Sequence, residues 1–317
     1  MRKVLFEGLK RPKSRKIPLT FAAEFAMKAV IVTARSNRRI IMNCRFAVFI
    51  GKAIFLAGVV ATVVALQAQA QTITLNNGNS SASIDLTSGD HTGMNNWTVD
   101  GINQLAQQWF WYRVGAATNQ TIDTVGNLNF STPNANVLFS TYHNNQFSVE
   151  VDYTLTGGAL GSHGSDINES IRVTNLTATS LDFHLYQFSH YTLGGIVGGA
   201  TATLQKNALS KYIGAFESNA TIEFNETVAT PGGTLGEANL SAATLLSELN
   251  SGPYALNGNL TAGPGDVGYA LEWDVSIAAG DGFVIGKDKS ISPVPEPTTL
   301  GLLSVGLAAL AWRKRHC

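Results

Sequence analysis

Cysteine is nearly absent: the 317-residue chain has two, Cys44 and Cys317, both in its terminal segments. No disulfide framework and no thiolate metal site can therefore hold the body together. Basic residues are scarce there too. Residues 53–312 carry six Lys/Arg against twenty Asp/Glu, although the whole chain has 22 of each. The balance comes from thirteen Lys/Arg in residues 1–52 and from Arg313, Lys314 and Arg315. Charge segregated in this way marks targeting tails, and an acidic body repels phosphate backbones, which argues against a nucleic-acid partner. No apolar run reaches the ~20 residues of a permanent membrane span. The G-x-S-x-G elbow, Walker A, H-E-x-x-H and EF-hand patterns are missing, and no internal repeat is evident.

What is there begins with a secretory pattern. Arg45 and Lys52 precede an apolar run over 53–66, and Ala68-Gln69-Ala70 is an A-x-A cleavage site. This predicts a signal peptide over 42–70 and a mature chain starting at Gln71. Residues 1–41 are basic and lack a core pattern, which reads as an extension ahead of a true start at Met42, or at Met27; a basic transit-like or nucleic-acid-binding arm is the alternative.

The other end reads Val294-Pro295-Glu296-Pro297-Thr298-Thr299, then an apolar stretch to Trp312, then Arg313-Lys314-Arg315. The two prolines hold an extended strip that a processing enzyme can grip. Fifteen residues, 298–312, make a helix of ~22 Å, short for a lasting span. The basic cluster stops translocation and stays cytoplasmic. This ending resembles the PEP-CTERM sorting domain, a family also labelled ice-binding protein C-terminal domain. The resemblance implies recognition of Pro295, Glu296 and Pro297 by an exosortase-type enzyme, after passage through the secretion translocon. It also implies transient anchoring in the inner membrane by residues 293–317, then delivery to the surface of a bacterium that makes exopolysaccharide. Nothing about ice follows, because the body has no Thr-x-Thr ladder.

Between the ends, 71–292 reads as one all-β exported domain. Phe147, Val149, Val151, Tyr153 and Leu155 alternate with Ser148, Glu150, Asp152 and Thr154; Tyr269, Leu271, Trp273, Val275 and Ile277 alternate with Glu272, Asp274 and Ser276. Period two with one apolar face means half-buried strands. Weaker strands are predicted at 81–86, 137–142, 168–175, 181–190, 221–225 and 282–285, and a helix at 242–249 with Ser241 as N-cap. Glycine-rich turns and the lack of alternating helices point to an antiparallel β-sandwich or jelly roll. Trp97-Thr98-Val99-Asp100-Gly101, Gln108-Trp109-Phe110-Trp111-Tyr112-Arg113, Gly263-Pro264-Gly265-Asp266-Val267, Glu272-Trp273-Asp274 and Gly286-Lys287-Asp288-Lys289 also resemble the central region of other PEP-CTERM proteins. That resemblance brings no catalytic residues.

Candidates for chemistry are few. Gly263-Pro264-Gly265-Asp266-Val267-Gly268 fits G-x-G-x-x-G but has no helix after it, so it reads as a turn. His184 and His190 stand ~20 Å apart along a strand, too far to share a metal. Glu150/Asp152 and Glu272/Asp274 lie opposite apolar faces and read as solvated. Asp266 and Asp281, in loops, are the residues best placed for Ca²⁺; no other cofactor is indicated. Trp109 and Trp111 fit a strand buried between layers, or else a platform for stacking sugars. Three functions stay open, in this order: a non-enzymatic surface or extracellular-matrix component, an exopolysaccharide-binding module, and a secreted glycosidase or lyase. The lack of a catalytic constellation favours the first.

Overall fold

The computed structural model describes residues 71–87 and 93–294. The extension 1–41, the signal peptide 42–70 and all of the sorting segment beyond residue 294 lie outside them, as do the helices expected at the two ends. Among the described residues, strands follow in the order β1 (Thr72–Asn77), β2 (Ser80–Asp85), β3 (Met94–Val99), β4 (Ile102–Asn103), β5 (Leu105–Val114), β6 (Gln120–Thr121), β7 (Asn129–Asn134), β8 (Val137–His143) and β9 (Phe147–Gly157). Then come β10 (Ser165–Asn175), β11 (Leu181–Tyr191), β12 (Ala200–Lys206), β13 (Tyr212–Ser218), β14 (Ile222–Thr230) and β15 (Leu235–Asn239). Helix α1 (Ala242–Asn250) precedes β16 (Thr261–Gly265), β17 (Gly268–Ile277) and β18 (Gly282–Pro293).

These form two nine-stranded antiparallel sheets. The first runs β1-β2-β3-β5-β11-β17-β15 with β4 and β6 at its side; the second runs β16-β12-β13-β14-β18-β10-β9-β8-β7. The all-β sandwich read from the sequence is the observed class. The sheets meet through Trp97, whose indole donates to Ser165 Oγ at 3.0 Å, and through the rings of Tyr112, Phe147 and Phe183, with centroids 5.1–6.1 Å apart.

Alternation produces strands where it was read. In β9 the five apolar residues are buried and the polar ones between them are half-buried up to Thr154. Helix α1 starts where its cap sits: Ser241 Oγ accepts the Thr244 amide at 3.2 Å, satisfying one of the first-turn amides that have no helical partner. The 263–268 segment differs from its reading as a turn. Thr261–Gly265 is an edge strand paired with β12.

The larger departure is at the centre of the first sheet. Antiparallel sheets commonly keep one wet face, but β5, β11 and β17 are covered on both over much of their length. Leu245 and Leu249 of α1 are buried against the outer face, where Trp111 meets Phe188 edge-on at 6.1 Å. The chain after α1 continues that cover as far as Tyr254, whose carbonyl accepts from Tyr186 OH at 3.3 Å.

Candidate functional site

The outer face of the first sheet carries the site. In-register pairing sets His184 of β11 between Arg113 of β5 and Asp274 of β17, and Tyr186 opposite Glu272. Five chemistry-bearing side chains from three strands thus share one patch. Arg113 Nε donates to Tyr186 OH at 2.7 Å, and a second guanidinium nitrogen donates to the Gly115 carbonyl at 2.7 Å. The third lies 3.5 Å from Glu272 Oε1. His184 Nδ1 pairs with Asp274 Oδ1 and lies 3.7 Å from Glu272 Oε1, while its Nε2 lies 3.5 Å from Asp182.

Glu272 is the unusual member. It is 1% exposed, and its Oε2 is buried without a hydrogen-bond partner. Burial, with the Asp274 carboxylate beside it, pushes its carboxyl up to about 7; the Tyr186 hydroxyl and, more weakly, Arg113 oppose this but do not win. A carboxyl so placed holds its proton for part of the time at neutral pH, as a general acid or base must. His184 and Asp274 keep the patch open: their side chains are 13% and 31% exposed.

The cover is itself anchored. Glu237 Oε2 on β15 accepts from Tyr254 OH at 2.9 Å and from the Asn257 amide at 3.1 Å. Asn250 Oδ1 accepts from the Trp111 indole at 2.8 Å. His184, Glu272 and Asp274 also form, among the described residues, the group whose ligand atoms lie within 4.8 Å of one another, close enough to share a metal ion. The guanidinium of Arg113 already sets a cation against Glu272, so the donor set fits an acid–base site better than a metal centre.

Several sequence expectations change here. Glu272 was read as solvated and is buried, because the chain from Ser241 onward folds over its face. Glu150 and Asp152 are half-buried on the outer face of the second sheet, where burial and Glu150 push Asp152 up to about 6. Trp109 and Trp111 are each 1% exposed. Gly93 packs against the Trp109 ring and the Trp109 indole donates to Asp123 at 3.3 Å, so neither tryptophan offers a ring face to a sugar. Asp266 pairs with His190 Nε2 at 2.7 Å, and Asp281 accepts from the Gly282 amide at 2.8 Å. Neither belongs to a group of three ligating side chains among the described residues. Ala68, Ala70, Pro295, Glu296, Pro297, Arg313, Lys314 and Arg315 lie outside the described residues; Gln71 is the first within them, its amide donating to Thr87 Oγ1 at 2.8 Å. Among the described residues no helix is long and apolar enough to cross a membrane.

Sequence reasoning missed Arg113, Tyr186 and Glu272 as partners. The signal available was three polar side chains in phase on neighbouring strands. Only the register shows that they meet.

Solved structures share the fold. A bacterial glucoamylase complexed with acarbose superposes with a TM-score of 0.50 at 8% identity, over 76% of this chain and 36% of that one. The chain thus corresponds to about a third of that enzyme's length. A putative aldose 1-epimerase from Escherichia coli K12 gives a TM-score of 0.48 at 9% identity, over 71% and 100%. An aldose epimerase homologue from C. elegans gives 0.45 at 11%, over 71% and 100%. The likeness is one of fold. Because the glucoamylase, which has this fold, is an enzyme, the expectation of a non-enzymatic body does not stand, and the missing sequence motif excludes nothing. Comparison with curated proteins finds no match. The family model described as the PEP-CTERM protein-sorting motif matches residues 293–315. The motif marks the chain for export and exosortase processing, and the chain is in that sense a PEP-CTERM protein.

Proposed function

We propose that the exported body is a sugar-active domain in which Glu272 and His184 move protons on a carbohydrate outside the cell. The observation that carries this is the Glu272 carboxyl, buried between Arg113 and Asp274 and pushed up to about 7. Arg113 lies 3.5 Å from it and is itself fixed through Tyr186. The groups lie within 4.8 Å of one another, tighter than the ~6.5–9.5 Å that lets a water sit between two carboxyls of an inverting glycosidase. That spacing suits proton exchange at one oxygen centre, such as ring opening and closing at the reducing end of a sugar. Sharing a fold with part of a glucoamylase complexed with acarbose supports a carbohydrate as the substrate class.

Export supports the setting. On this reading residues 42–70 direct the chain to the translocon, 293–317 hold it briefly in the inner membrane, and cleavage near Pro297 delivers 71–292 to the surface, where exopolysaccharide is at hand.

The test follows optical rotation of freshly dissolved reducing sugars with the exported protein. Glu272→Gln should slow the enzymatic rate ~100-fold or more, with sugar binding by calorimetry retained. Absence of both rate enhancement and binding across a panel of hexoses and exopolysaccharide fragments would overturn the reading.

A further inference from the structure

A second charged cluster sits between the sheets, with no part in the site above. Lys287 and Lys289 of β18, Glu169 of β10, Glu226 of β14 and Gln187 of β11 are all buried, 0–2% exposed. Lys287 Nζ touches both Gln187 Oε1 and Glu169 Oε1. The Gln187 amide nitrogen donates to both Glu226 oxygens, at 3.0 and 2.9 Å, and to Ser189 Oγ at 3.0 Å. Glu226 Oε2 also accepts from Tyr269 OH. Phe110 and Trp273 close over the lysine, their ring centroids 4.8 and 5.8 Å from Nζ.

We propose that Lys287 and Gln187 form an intramolecular isopeptide bond that ties β11 to β18 across the sandwich. The amine, the amide carbonyl and a carboxyl on the leaving nitrogen are already assembled in a buried site, the arrangement an amide exchange needs. Glu169 takes the extra proton of the Lys287 ammonium. The free amine attacks Gln187 Cδ, so that the Nζ–Cδ bond forms. Glu226 relays a second proton from Nζ to Nε2, the Cδ–Nε2 bond breaks, and ammonia leaves. Burial supports the first step by lowering the Lys287 ammonium to about 8. Glu169 is the poorer acyl donor, since Lys287 and Lys289 hold it as a carboxylate, below its ordinary range. A covalent tie across the sheets would serve an exported body that has no cysteine.

The experiment is intact-mass measurement and peptide mapping of the full chain as exported. A mass one ammonia below that of the same processed sequence, with a branched peptide joining Lys287 to Gln187, is the expected result. Lys287→Arg should restore the full sequence mass. If that variant is insoluble, the wild-type map decides alone. Full mass with both peptides recovered unlinked would overturn the proposal, and so would loss of one water with Glu169 as the acyl partner.

Discussion

Glu169 and Glu272 are the same residue type, each 1% exposed, yet their carboxyls move in opposite directions. Two lysines face Glu169, and it is held below its ordinary range. One arginine at 3.5 Å and a second carboxylate face Glu272, and it rises to about 7. Before any bond joins Lys287 to Gln187, the inner cluster sets two carboxylates against two ammonium groups, with amides filling the remaining places. The outer one is left short of positive charge and has His184 and Asp274 at its edge. A balanced buried network serves to hold structure, whereas an unbalanced one beside solvent can exchange a proton.

The largest expected effect breaks the inner side of that comparison. Glu169→Ala strands the Lys289 ammonium, which keeps only Gln108 at 3.0 Å. Losing one partner of a buried pair costs about 3–5 kcal/mol, so urea denaturation should show a loss of that order. Glu272→Gln, at the outer site, should stay within about 1 kcal/mol at pH 7. Equal losses would mean that the two clusters do not differ in kind.

What the sequence revealed follows the same division. Strand β9 was legible because its alternation is clean and its polar face is not sealed over. Ser241 was legible as a cap because capping is local. The cover on Glu272 was not, since it depends on where the segment after Ser241 lands, and alternation alone assigns Glu272 to water. The inner cluster left a signal of another kind. Glu169 is in phase with Ile167 and Ile171, and Lys287 and Lys289 with Ile285 and Ile291. Opposite charges on the apolar face of two strands announce a buried pair, but only register brings them together.

A smaller effect sharpens the outer side. Glu272 binds its proton more tightly folded than unfolded, because its carboxyl rises from 4.5 to about 7. Its contribution is therefore full below the unfolded value and is lost as pH rises toward the folded one. Stability should fall by roughly 2 kcal/mol across that window, after allowance for solvent screening. Glu272→Gln, which cannot ionise, should flatten this part of the curve while leaving the acid limb that belongs to Glu169. Thermal unfolding of both proteins across about pH 2–8, which spans the carboxyl and imidazole range and reaches below the ordinary value of Glu169, measures the difference. An unchanged slope would show that Glu272 is not the titrating group.

The smallest effect tests what keeps the outer cluster short of water. Ser241 Oγ caps α1 through the Thr244 amide at 3.2 Å and also accepts from Thr244 Oγ1 at 3.0 Å. Through α1 it positions Asn250, which holds the Trp111 indole at 2.8 Å. Ser241→Ala removes the cap and should cost about 1 kcal/mol. The location of that loss matters more than its size. Amide exchange should quicken in α1 and in the chain between α1 and Tyr254, while β10 and β18, which carry the inner cluster, keep their protection. With the cover loosened, water reaches Glu272 and its carboxyl falls back toward 4.5, the value of an unburied carboxyl. The acid limb of the optical-rotation rate profile should then move to lower pH. A profile that stays in place while α1 frays would mean that Asp274, rather than the cover, sets the Glu272 proton.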